Sequence, residues 1–218
     1  MTVLPKRLLF FLLLIWGVIP VWADSIHVKM GNLYGELPIK TWKEQRDDGV
    51  IKQNLDYSCG AASVATVLSE FYRKDQVTEK RILEIMNKDS AASFQDLAQA
   101  VKRFEMRGVG LALSFAQLKR LRVPAVAYLK YQGDDHFSVI RGISQGGNVR
   151  LADPSWGNRT FSKAQFRAMW ETREEKTLKG KILLILPAKN DFAKTDQSFF
   201  SPPARNGLTE TLLGIHMY

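Results

Sequence analysis

Cys59 opens the strongest helical pattern in the 218-residue chain and is followed by Gly60, which leaves the approach to its thiol open. A thiol is a nucleophile only as the thiolate, and a helix N-terminus favours that anion through unpaired N–H groups and the helix dipole. The thiolate needs a histidine, and the histidine needs an acceptor on its other nitrogen. Of the three histidines, His27 and His216 lie in terminal segments and are expected at the surface, whereas His136 lies within the folded core. His136 opens one expected strand and Asp153 closes the next. In a hairpin, alternate residues share a face, so the parity of the connecting loop decides whether the two meet. A two-residue loop, Ser144-Gln145, pairs 136 with 153. A four-residue loop, Ser144 to Gly147, pairs 138 with 153 and leaves 136 diagonally adjacent on the same face. An odd loop separates them. Asp153 also precedes Pro154, where a carboxylate commonly caps a turn. Thiol acyl transfer further needs donors for the developing oxyanion, often the nucleophile's own N–H and a side-chain amide shortly upstream. Gln53 and Asn54 stand there.

The elements that would position these residues are legible from periodicity. From Ser58 onward, Val64, Val67, Leu68, Phe71 and Tyr72 form one apolar helical face. Thr78 begins a second helix carrying Ile82, Leu83, Ile85 and Met86, and Ser93 with Asp96 makes a capping box for a third. That third helix turns Phe94, Leu97, Ala98, Val101 and Phe104 inward and is expected to end at Gly108. Ser114 caps a fourth turn through Leu118 and Leu121. The period then changes. Pro124 to Leu129 is an apolar run, Gln132 to Asp135 a turn, and His136–Ile143 and Asn148–Asp153 are paired strands. Ser162 caps a helix through Trp170, and Gly180 to Pro187 is a buried strand by its apolar continuity. Helices first and sheet second make the class α+β.

At the N-terminus, Lys6 and Arg7 precede a twelve-residue apolar run, Leu8 to Ile19, broken by Pro20 and followed by Val21-Trp22-Ala23. That is the layout of a secretory signal peptide cleaved before Asp24, and the run is shorter than the roughly 20 residues a membrane span requires. The expected organisation is therefore a signal peptide over 1–23, an N-terminal arm over 24–49, a folded domain over 50–188 and a flexible or partner-dependent tail over 189–218. The expected location is the periplasm, with no integral span after signal cleavage. A lone cysteine is commonly a small buried hydrophobe, but in an exported chain an unpaired thiol is an oxidation liability that calls for a function.

Composition excludes other classes. At 45% hydrophobic and 24% charged, the chain has the balance of a globular domain. One cysteine and three scattered histidines leave no metal centre and no cofactor to expect. Removing 1–23 takes Lys6 and Arg7 and no acid, which lowers the net charge from +9 to +7. The basic residues are dispersed and no nucleic-acid motif accompanies them, so no nucleic-acid partner is expected. Asp47-Asp48, Asp134-Asp135 and Glu174-Glu175 are adjacent acids expected in solvent, although Asp134 and Asp135 stand close enough in sequence to act on His136. Gly108-Val109-Gly110 lacks the third glycine of a dinucleotide fingerprint.

Three stretches taken together are similar to a known family. They are Gln53 to Ser63 (QNLDYSCGAAS), His136 to Ile140 (HFSVI) and Ala152-Asp153-Pro154. In this order they resemble the bacteriocin-processing, double-glycine cysteine peptidases, family thirty-nine of the papain-like clan, over about residues 50–172. The resemblance implies a papain-like fold with Cys59 as nucleophile, His136 as base, Asp153 as its orienter and Gln53 in the oxyanion hole. Two departures stand out. Ser58 replaces the aspartate usual before the cysteine. The chain also carries its own signal peptide and no P-loop, like the stand-alone exported members that serve bacterial functional-amyloid (Fap) secretion. By that likeness its partners are a polypeptide substrate, amyloid precursors or export components. The rival readings are a non-catalytic papain-like module that binds export substrates, and a triad serving amide acyl transfer.

Overall fold

Of the 218 residues, the computed structural model describes 25–30, 33–38, 40–189 and 195–201. The signal segment, His216 and most of the tail lie outside them. The chain divides into two compact units, one ending at Ile39 and one beginning at Lys40. In the first, β1 (Ser25–Met30) and β2 (Leu33–Pro38) form an antiparallel hairpin with Met30 opposite Leu33, which the polar pattern of the arm did not announce.

In the second unit, α1 (Trp42–Asp47) starts at a capping box between Thr41 and Glu44. It packs so closely on Gly157 that a Cβ there would lie 2.5 Å from the Arg46 carbonyl oxygen. Residues 40–49, read as arm, thus belong with the domain. Next comes α2 (Cys59–Thr66), buried along its whole length and continued by a π turn, Val67–Phe71. Its small residues make that depth possible: a Cβ on Gly60 would already press on Phe137 at 3.1 Å and Leu97 at 3.2 Å. α3 (Glu79–Met86) and α4 (Phe94–Ala100) lie behind side-chain caps from Thr78 and Ser93, and a 3-10 turn extends α4 to Phe104.

The expected helix end at Gly108 is corrected. Glu105, at φ 59, ends the helical segment, and Met106–Leu113 is a strand, β3. Gly108 lies inside it because α4 crosses at contact distance; a Cβ would meet Ala98 Cα at 2.6 Å. After α5 (Phe115–Leu118) come β4 (Ala125–Tyr131), β5 (Asp134–Ile143), β6 (Val149–Asp153) and β7 (Gly157–Phe161). Then come α6 (Lys163–Trp170) and β8 (Gly180–Pro187). The strands form one antiparallel sheet in the order β3-β8-β4-β5-β6-β7.

The apolar run of β8 is explained by burial on both faces. Leu183 and Ile185 join the cluster built on α2, α3 and α4, while Ile182 and Leu184 join Phe166 and Trp170 of α6. The fold is α+β, with the long helical layer on one face of the sheet and α5 and α6 on the other. A 3-10 turn at Gln197–Phe200 returns to this core, where Phe199 is 2% exposed and meets Phe71 edge-on. This part of the expected tail is tied down.

Candidate active site

Cys59 is the first residue of α2 and is 7% exposed. The N–H of Ala62 is the first of the helix to reach back to the Ser58 carbonyl, at 3.0 Å. The N–H groups before it are those that every helix start leaves over. Ser58 occupies the N-cap position but its hydroxyl makes no capping bond.

His136 and Asp153 are brought together. His136 Nε2 lies 2.9 Å from Asp153 Oδ2, with the imidazole 16% and the carboxylate 7% exposed. The Asp153 Oδ1 atom accepts from the N–H groups of Ser155 and Trp156, both at 2.9 Å. The carboxylate therefore performs both roles read from the sequence, capping the turn with one oxygen and holding the ring with the other. With Nε2 committed, Nδ1 is the nitrogen left for sulfur.

These contacts set the electrostatics. Burial pulls the His136 pKa down, but hydrogen bonding and charge from Asp153 and from Cys59 outweigh it and push the value up to about 9. Burial likewise works against the Asp153 anion, and the contacts with His136, the Trp156 N–H and Ser138 reverse it, holding the carboxyl below its ordinary range. At neutral pH the ring is thus an imidazolium between a carboxylate and the sulfur. Asp134 and Asp135 are not among the groups acting on it; Asp135 instead accepts from the Tyr128 hydroxyl at 2.5 Å.

Register explains the meeting. Val139 pairs with Ala152, which sets Ser138 opposite Asp153 and His136 diagonally beside it. That is the second of the two arrangements foreseen, but the connecting loop differs. Ser144 N–H bonds the Asn148 carbonyl and Gly147 N–H the Ser144 carbonyl, leaving Gln145, Gly146 and Gly147 as an odd loop. A bulge between Ile140 and Gly142 restores the parity.

Gln53 is anchored at the same end of the sheet, its N–H donating to the Pro154 carbonyl at 3.0 Å. Its Nε2 donates to Leu55 O at 3.0 Å and Asp56 O at 3.4 Å, and its Oε1 accepts from Ser155 Oγ at 2.7 Å. Two carbonyls on one side and a hydroxyl on the other fix which way the amide faces. Asn54, the second amide considered, turns away to Glu79, with its Nδ2 2.5 Å from Oε2. Glu79, Ser155 and the half-exposed Trp156 were not singled out from sequence. Glu79 reads there only as a first-turn acid, and Ser155-Trp156 only as the continuation of a turn at Pro154. No group of residues fit to hold a metal ion, and no helix long and apolar enough to cross a membrane, occurs among the described residues.

Comparison with known proteins places this arrangement. A probable functional amyloid protease, FapD, of Pseudomonas aeruginosa is 28% identical over 140 residues, covering 61% of this chain and 61% of the relative. The FapD of Pseudomonas fluorescens is 28% identical over 175 residues, covering 76% of each. The match thus spans less than two thirds of the first relative's length. Among solved structures, the peptidase domain of Streptococcus ComA, a bifunctional ABC transporter involved in quorum sensing, superposes with a TM-score of 0.53 at 16% identity. It covers 63% of this chain and 97% of that one. A double-glycine-motif protease from an AMS/PCAT transporter, solved with its leader peptide, gives a TM-score of 0.52 at 22% identity over 63% of this chain and 90% of that one. Both likenesses concern the fold, which is that of these papain-like peptidase domains. Residues 47–174 match the model of the peptidase C39 family, more than half of the chain, and the protein belongs to that family of cysteine peptidases.

Proposed function

We propose that the protein is an exported cysteine endopeptidase that cleaves a secreted polypeptide in support of functional-amyloid secretion. The carrying observation is the 2.9 Å pair of His136 and Asp153, which orients the ring, while contacts with Asp153 and Cys59 favour its protonated form. Such a ring is the counter-ion a thiolate needs and the acid a departing amine needs.

In this reading, the Cys59 sulfur attacks the substrate carbonyl and a tetrahedral oxyanion forms. His136 gives its proton to the amine as the C–N bond breaks, leaving a thioester on Cys59. The neutral ring then takes a proton from water, which attacks the thioester and releases the acid. Asp153 keeps the ring oriented throughout. The oxyanion is met by the Cys59 N–H and by Gln53 Nε2. The Gln53 hydrogen held by the 3.4 Å contact to Asp56 O is the one to redirect, since a hydrogen bond of that length is weak. The amyloid setting is supported by the two Pseudomonas relatives, and export by the signal-peptide layout of residues 1–23. A polypeptide substrate is supported by the leader peptide bound to the transporter protease of the same fold.

The test is proteolysis of co-secreted amyloid subunits and export components by wild type and Cys59→Ala. Cleavage by wild type alone is expected. Equal processing by both proteins removes the assignment.

A further inference from the structure

The N-terminus of α2 differs from the other helix starts in what caps it. Thr41, Thr78, Ser93, Ser114 and Ser162 each accept an N–H of their own helix on the side-chain oxygen. Ser58 makes no such bond, and its backbone, at φ −93 and ψ 8, is not extended as those five are. Its hydroxyl is engaged elsewhere. It donates toward Glu79 Oε1 and lies 2.7 Å from Leu55 O, while accepting from the Leu55 N–H at 3.2 Å.

Glu79 is 4% exposed. Its Oε1 also accepts the Asn54 N–H at 2.8 Å, and its Oε2 accepts Asn54 Nδ2 at 2.5 Å. No lysine or arginine pairs with it among the described residues. A buried carboxylate satisfied only by dipoles from one loop has a costly environment if that loop moves. The loop in question, residues 53–58, carries Gln53 at one end and leads into Cys59 at the other.

Resting on the cysteine-peptidase reading above, we infer that Glu79 is a positioning residue: through Asn54 and Ser58 it fixes the loop over 53–58, so that Gln53 Nε2 and the Cys59 N–H are held where the oxyanion develops.

Two reactions at the lone cysteine separate this role from general support of the fold. Acylation by p-nitrophenyl acetate passes through an oxyanion as the S–C bond forms and p-nitrophenolate leaves. Alkylation by iodoacetamide displaces iodide directly and forms none. In Glu79→Ala the ratio of acylation to alkylation rate is expected to fall about tenfold or more, the scale of losing an oxyanion donor. Glu79→Gln, whose amide oxygen can still accept from the Asn54 N–H and the Ser58 hydroxyl, is expected to keep most of the ratio. An unchanged ratio in Glu79→Ala overturns the proposal, as does an equal fall in both rates or a loss in Glu79→Gln as large as in Glu79→Ala. If Glu79→Ala does not fold, Glu79→Asp, one methylene short of Ser58, is read by the same ratio. A wild type whose Cys59 is acylated no faster than free cysteine takes down the cysteine-peptidase reading itself, and the role of Glu79 with it.

Discussion

Asp153→Asn removes the charge facing His136 while preserving the size of the side chain and its Oδ1 acceptance from Ser155 and Trp156. In the wild type, burial lowers the His136 pKa and the Asp153 and Cys59 contacts raise it, for a net rise from 6.5 to about 9. That rise is worth about 3 kcal/mol of preference for the imidazolium, and it already includes the opposing burial. With Asp153 neutral, burial is opposed only by the Cys59 contact, and the ring is expected to titrate near or below its ordinary value. Stability is linked to both titrations. A histidine raised on folding contributes stability that is full below its unfolded pKa of 6.5 and is lost as the pH climbs through about 9. Asp153, lowered on folding, contributes stability above its unfolded range that is lost as the pH falls through its folded value. The pair therefore supports the fold across neutral pH, and Asp153→Asn should cost about 2 kcal/mol there, with the deficit shrinking above pH 9.

Imidazole NMR reads the titration directly, because only His27, His136 and His216 contribute signals. Urea denaturation at several pH values reads the linked stability. Alkylation of Cys59 at pH 7 reads the chemistry, and it should slow as the sulfur loses its cationic neighbour. A His136 midpoint in Asp153→Asn within about half a pH unit of wild type would refute the assignment of the raised value to this contact.

Gly180→Ala should destabilise the domain by about 2 kcal/mol or more in urea denaturation, since a Cβ there falls 2.0 Å from Cε2 of the buried Trp170. Arg141→Ala should cost about 2 kcal/mol in the same assay, because its guanidinium serves Asp48 O, Asn158 Oδ1 and Phe199 O, and it should lower kcat more than it raises KM.

The helices were legible because their starts carry local chemistry. Thr78, Ser93, Ser114 and Ser162 each cap where the sequence places them. Strands fared unevenly. β8 announced itself by apolar continuity, whereas β3 was hidden because Gly108 read as the end of the preceding helix. The requirement for Gly108 is tertiary, the crossing of Ala98, and no local pattern carries it. β7, Gly157-Asn-Arg-Thr-Phe161, pairs only with β6 at the sheet edge and has too little apolar alternation to stand out. In the site, Cys59, His136, Asp153 and Gln53 could be singled out because their residue types limit the chemistry. Glu79 could not, since its significance lies in the remote loop it holds ahead of α2.

The β5–β6 hairpin shows why even a sound parity rule needed the structure. The alternation rule demands an even connection between His136 and Asp153, yet the turn is odd: Gly147, at φ +89, closes it in the left-handed region that succeeds a type I turn. Taken alone, that turn would send imidazole and carboxylate to opposite faces of the sheet. The bulge at Arg141 inserts one further residue, and the two odd insertions cancel. A bulge leaves its extra residue outside the ladder, so something must hold it, and here Arg141 is held from three segments remote in sequence. Asp48 lies before the nucleophile, Asn158 on β7, and Phe199 beyond the stretch that matches the family. The guanidinium sits 4.6 Å from the Phe199 ring centre as well. The face on which His136 and Asp153 meet is thus selected five positions along the strand from His136, by packing that includes the returning segment at Gln197–Phe200. A chain cut at the family boundary would keep all four candidate residues and lose part of what sets their register.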